Sequence, residues 1–80
     1  MITEEEVLKA IRAWFEVKPQ DGRIISRANI EGLLKLNYKL EPEEIPRARF
    51  ILTRTCNKHF ELRSPHRKTR SWVITAEALV

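Results

Sequence analysis

The chain has one cysteine, Cys56, in its 80 residues, so no intramolecular disulfide can hold the fold and a compact apolar core must do that work. A lone thiol also fits a reducing, cytoplasmic setting better than a secreted one. The sequence has two glycines and no glycine-rich phosphate loop, and it shows neither a Ser/His/Asp arrangement nor paired carboxylates in an apolar setting. Catalysis is therefore not expected, and no cofactor is implied. No apolar run approaches the roughly 20 residues that span a bilayer. The N-terminus carries Glu4, Glu5 and Glu6 where a signal peptide would be positive. The expectation is a soluble protein with no membrane partner. There is no internal repeat or biased tract, and 42% apolar with 32% charged residues suits one folded domain over residues 1–80.

What the chain does have is segregated charge. Residues 47–70 hold Arg47, Arg49, Arg54, Lys58, Arg63, Arg67, Lys68 and Arg70 against one acid, Glu61, a local excess of seven positive charges. The formal net charge of the whole chain is only +4, so the remainder is net negative. A basic block beside an acidic remainder is the electrostatic footprint of a face that binds a polyanion. Six of the eight cations are arginine, the side chain suited to bidentate contacts with phosphate or guanine.

The local signals divide the chain into short elements. Thr3 and Glu6 form a capping box with an Ile2/Val7 staple, and Val7, Leu8, Ile11, Trp14 and Phe15 repeat at helical spacing, predicting a helix from Thr3 to near Val17 with that face in the core. Pro19-Gln-Asp-Gly22 then breaks it. Residues 23–26, Arg-Ile-Ile-Ser, can add one rung to a small sheet. Ser26 caps a second helix over about 27–36, with Ile25 and Ile30 as its staple and Ala28, Leu33, Leu34 and Asn37 continuing the buried side. Gly32 within it marks either a close approach or an incidental surface position. Leu40 anchors the connection that follows, and Glu41-Pro42 marks a break or a single turn. Pro46 is tolerated in a first turn, so a third helix is placed from there to about Asn57. Its inner side is Ala48, Leu52, Thr55 and Cys56, and its outer side Arg47, Phe50, Thr53, Arg54 and Asn57. His59–Arg63 and Ser71–Thr75 alternate as two strands that should pair, and the polar Ser64–Arg70 loop between them stands off the core.

The order of elements, with Ile24-Ile25-Ser26 before helix 2, Leu33-Leu34-x-Leu36, the Pro46–Asn57 helix and the Pro65–Arg70 loop closed by Ser71-Trp-Val-Ile, resembles the winged helix-turn-helix family. The resemblance implies an α+β fold of three helices plus a C-terminal β-hairpin wing. It implies double-stranded DNA as partner and a transcriptional or recombination regulator of the kind phages and mobile elements encode. Helix 3 would enter the major groove with Arg47, Arg49, Phe50, Thr53, Arg54, Asn57 and Lys58, and Arg63, His66, Arg67, Lys68 and Arg70 would form the wing contacts. The connection between helices 2 and 3 is about nine residues, where a simple helix-turn-helix uses three or four, and it carries Glu41, Glu43 and Glu44 near the recognition helix.

Phe50 has three readings: a plug under the wing or a neighbouring helix, a protein contact, or a contact to a thymine methyl or a stacked base. The second suggests an alternative function, in which the basic face and Phe50 occupy an acidic or nucleic-acid-binding surface of a host protein. Cys56, His59 and His66 lack a fourth metal ligand, so no metal is expected. Trp14 and Trp72 read as core residues, with Trp72 also placed to brace the wing against helix 3. No apolar stripe remains for a dimer interface, which predicts a monomer in solution that dimerises, if at all, on DNA.

Overall fold

The computed structural model describes residues 2–17, 24–66, 68–75 and 77. These form a small α+β domain of three helices and a three-stranded antiparallel sheet, in the order α1 (Glu4–Val17), β1 (Ile24–Ser26), α2 (Arg27–Tyr38), α3 (Ile45–His59), β2 (Glu61–Ser64) and β3 (Ser71–Val73), with a single 3-10 turn at Pro42–Glu44 before α3. The break expected at Pro19–Gly22, and Arg23 beside it, lie outside the described residues.

The helices start where side chains replace missing backbone partners. At α1 the Glu6 amide donates to Thr3 Oγ1 (3.3 Å) and the Thr3 amide to Glu6 Oε1 (3.1 Å). At α2 the Asn29 amide donates to Ser26 Oγ (3.1 Å) and the Ser26 amide to Asn29 Oδ1 (3.3 Å), a reciprocal cap with asparagine in the third helical position. Each hydrophobic staple closes behind its cap, with Ile2, Val7, Ile25 and Ile30 all buried. α2 runs two residues past the expected end and stops at Lys39, whose left-handed backbone (φ 49°) lets its amide donate to the Lys35 carbonyl (3.1 Å). α3 begins one residue before Pro46, which sits in the first turn where its missing donor costs nothing, and it extends two residues past Asn57. His59 therefore finishes a helix and does not open a strand.

The core collects Val7, Ala10 and Ile11 from α1, Ile25 from β1, Ile30 and Leu34 from α2, Ala48, Leu52 and Cys56 from α3, and Phe60, Trp72 and Ile74 from the hairpin. Trp14, Phe15, Leu33 and Leu40 pack against it from its rim. Thr55 joins the buried face of α3 by returning its hydroxyl proton to the Ile51 carbonyl (2.7 Å). Ala28 and Asn37, expected on the buried side of α2, are exposed. The helix is rotated so that Glu31 takes an inward position, for an electrostatic reason given below. Gly32 faces open space, with nothing within 4 Å of where a Cβ would stand, so it marks no close approach.

The strand order is β1-β3-β2. Ile25 and Leu62 both pair with Trp72, so the three side chains share the inner face. Ile25 and Trp72 are fully buried, whereas Leu62 on β2 is 43% exposed, although β1 and β2 are both edge strands. The register slips between Leu62 and Ser64, which makes Arg63 the extra residue of a bulge where the hairpin leaves the sheet.

Candidate nucleic-acid interface

The 3.6-residue period of α3 divides its side chains cleanly. Ala48, Leu52, Thr55 and Cys56 are buried, while Arg47, Phe50, Arg54 and Asn57 are exposed and Thr53 is half-buried. Phe50 keeps 60% of its surface in solvent, so neither the hairpin nor a helix covers it and the plug reading is set aside.

Three expected contact residues on α3 have protein partners of their own. Arg49 on α3 faces Glu31 on α2 and grips it with two donors, Nε to Oε1 and Nη2 to Oε2, the latter at 3.2 Å. Lys35 Nζ adds a third cationic contact to Glu31 Oε2 at 3.1 Å. These hydrogen bonds, Arg49's first, outweigh partial burial and hold the Glu31 carboxyl below its ordinary pKa; the same pair raises that of Arg49. Arg49 thus brings little unbalanced charge to the surface. Lys58, with His59, reaches the other way to Glu4 at the start of α1 (3.3 and 2.9 Å), fastening the end of α3 to α1. Asn57 Oδ1 accepts the indole proton of buried Trp72 (2.9 Å), which gives the expected bracing of β3 against α3. A bidentate contact to adenine needs both ends of an asparagine amide, and here the oxygen is taken.

The hairpin loop stands clear of the core. Arg63, His66 and Lys68 are exposed; the Lys68 amide donates to His66 Nδ1 (3.4 Å), and Arg70 Nη2 closes the loop on the Pro65 carbonyl (3.2 Å). Arg67 lies outside the described residues. At the other end of α3, Arg47 shares a groove with Ile2, Glu43, Glu44 and Ala48, so the acids of the connection sit beside the first arginine of the helix.

The helix and the loop meet in a cleft lined by Arg27, Pro46, Arg49, Phe50, Thr53 and Arg70. Arg27 was not singled out from the sequence, because it lies outside the basic block and follows a capping serine at the start of α2. Glu31 was missed as well, although its spacing of four from Lys35 is an ion-pair signal. Cys56 is fully buried and burial pushes its thiol up to about 12, so it serves as a small apolar residue. Among the described residues no three His, Cys, Asp or Glu side chains gather as a metal site, and no helix is long and apolar enough to cross a membrane. Comparison with protein-family models, curated proteins and solved structures returned no match to this chain.

Proposed function

We propose that the protein is a non-enzymatic winged-helix protein that binds double-stranded DNA as a transcriptional or recombination regulator, with α3 as its major-groove helix and the 65–70 loop as its wing. The observation that carries this reading is the shared cleft: Phe50 and Thr53 of α3 and Arg70 of the loop line one concavity, so the two basic elements present a continuous surface. Arg47 and Arg54 on α3 and Arg63, His66 and Lys68 on the hairpin are exposed around it. Arg54 is the base reader, because its guanidinium carries two parallel donors for guanine. Lys68 and Arg63 act on phosphates. Arg49, Asn57 and Lys58 serve the fold.

The test is a titration of a labelled duplex over a range of salt. Affinity should fall with a slope of about 0.9 per phosphate contacted, and absence of salt-dependent binding at low ionic strength rejects the reading. Arg54→Ala should cost about 1–3 kcal/mol on a preferred site and relax its preference, whereas Lys68→Ala should weaken all sequences alike.

One observation favours a second reading, that of a module inhibiting a nucleic-acid-binding protein: Phe50 is a large exposed aromatic beside arginines, the composition of a protein hot spot. In that case Phe50→Ala abolishes partner capture from nuclease-treated extract and leaves duplex affinity unchanged.

A further inference from the structure

The ladder between β1 and β3 ends on the pair Ser26–Ser71, and the next rung brings two arginines face to face. The Arg27 amide donates to the Arg70 carbonyl at 2.8 Å, so the first residue of α2 and the last residue of the hairpin loop are locked opposite one another. Like charges directly opposite in an antiparallel pair repel. Both residues line the cleft, and among the described residues no carboxylate lines it with them; Glu31, the acid bonded to the lining residue Arg49, is already engaged by Arg49 and Lys35. The Nε atoms of Arg27 and Arg70 are also shut off from solvent and, among the described residues, have no acceptor. Those Nε atoms lie behind the cleft surface and out of reach of a ligand, and Arg70 Nη2 already donates to the Pro65 carbonyl (3.2 Å), so it is the like charge of two guanidinium groups lining one cleft that calls for an anion.

The opposite wall of the cleft is of a different kind. Pro46, Phe50 and Thr53 follow one another at spacings of four and three along one face of α3, which puts an exposed aromatic ring and a hydroxyl beside the arginine pair. A phosphate joined to a planar base matches this combination. Inside an intact duplex every base is covered on both faces by its neighbours, so away from the ends a ring at the cleft wall can stack only on a base that is unpaired.

We propose that the cleft holds one unpaired nucleotide, its phosphate between Arg27 and Arg70 and its base against Phe50, so that the preferred ligand is a duplex bearing a single-stranded end. This deepens the DNA-binding reading and rests on it for the nature of the ligand. The duplex binds along α3 and the loop, and the cleft takes the first nucleotide beyond the paired region. Thr53 offers its hydroxyl to the same phosphate.

Fluorescence anisotropy at one salt concentration should compare three labelled DNAs: a blunt duplex of about 20 base pairs, the same duplex with a short single-stranded tail, and the duplex with an abasic tail of equal charge. The base-bearing tail should bind roughly tenfold tighter than the abasic one, as expected for one stacked base. Phe50→Ala should erase that difference, and Phe50→Trp should keep it. Arg27→Gln, which retains the backbone bond to Arg70, should weaken both tailed DNAs more than the blunt one. Circular dichroism confirms that each variant is folded, and Phe50 is 60% exposed.

Equal affinity for the two tails overturns the proposal, as does a tail preference that survives Phe50→Ala. If the arginine substitution matters and the aromatic one does not, the site is a phosphate clamp and Phe50 is left for a protein surface, which also overturns it. Salt-dependent binding of the blunt duplex in any of those cases leaves the DNA-binding reading standing. Binding of the base-bearing tail alone sustains the cleft and rejects the duplex reading, and binding of none of the three DNAs rejects both.

Discussion

At the scale of single residues, the side chains on the basic face divide by partner more than by type. Asn57 is exposed and lies on the outer side of α3, yet its oxygen is the acceptor for a fully buried tryptophan. Asn57→Ala should therefore lower stability by about 1–2 kcal/mol in urea unfolding, the cost of leaving the indole donor unmet, and should alter duplex affinity little. A stability unchanged from the native protein would return Asn57 to the role of base reader. Glu31 presents the complementary case, a buried acid that tempers an arginine next to the cleft. Glu31→Gln should destabilise by about 1–2 kcal/mol, discounted because Arg49 is half in solvent, and should tighten duplex binding at low salt by releasing the Arg49 charge. The pH dependence has a definite sign. Glu4 and Glu31 both have native pKa values below the ordinary 4.5, so their stabilisation is complete above that value and is lost as pH falls through the lower native values. Thermal melts from pH 7 downward should show stability falling below about pH 4.5, and the Glu31→Gln variant should show a shallower fall.

At the scale of elements, helix ends carry much of the local specification. The reciprocal caps at Thr3 and Ser26 satisfy amides that have no helical partner, and Ser26→Ala should cost about 1 kcal/mol. The far end of α2 is less well served. Lys39 adopts a left-handed backbone that a side chain with a Cβ tolerates poorly and glycine accepts readily. Lys39→Gly should raise stability by about 0.5–1 kcal/mol, measured as a shift of the urea midpoint at constant m-value. A loss of stability would mean that the lysine side chain contributes more through its packing than its backbone costs. The bulge at Arg63 acts on the other element of the interface: an extra residue bends β2 as it leaves the sheet, so the direction of the hairpin loop is set before the loop begins.

At the scale of the whole molecule, the arrangement separates a core built by three helices and one sheet face from a basic surface that α3 and the hairpin share. Trp14 and Phe15 pack on the rim of that core, and among the described residues the large apolar side chains left exposed (Val17, Ile24, Leu36, Phe50 and Leu62) come from five different elements. Sedimentation at tens of micromolar should accordingly find a monomer without DNA; a stable dimer there would mean that one of these groups forms an interface. Under the proposed DNA-binding reading, a DNA with two half-sites would pair two copies, since a single small domain covers limited surface on a duplex.

Sequence by itself determined the features that depend on neighbours within about four residues: both capped helix starts, the hydrophobic staples, the inner and outer faces of α3, and the concentration of arginine in residues 47–70. These are set by backbone sterics and helical period, which act locally. Only the tertiary structure decided which cations stay unpaired. Arg49 meets Glu31 across 18 positions, Trp72 meets Asn57 across 15, and Arg27 stands opposite Arg70 because a strand of three residues fixes the register. Leu62 is another such case, patterned for burial by alternation but left 43% exposed where β2 docks. Contacts of this kind follow from how elements dock. Docking is driven by burial of the whole core at once, and no local window of the sequence contains it.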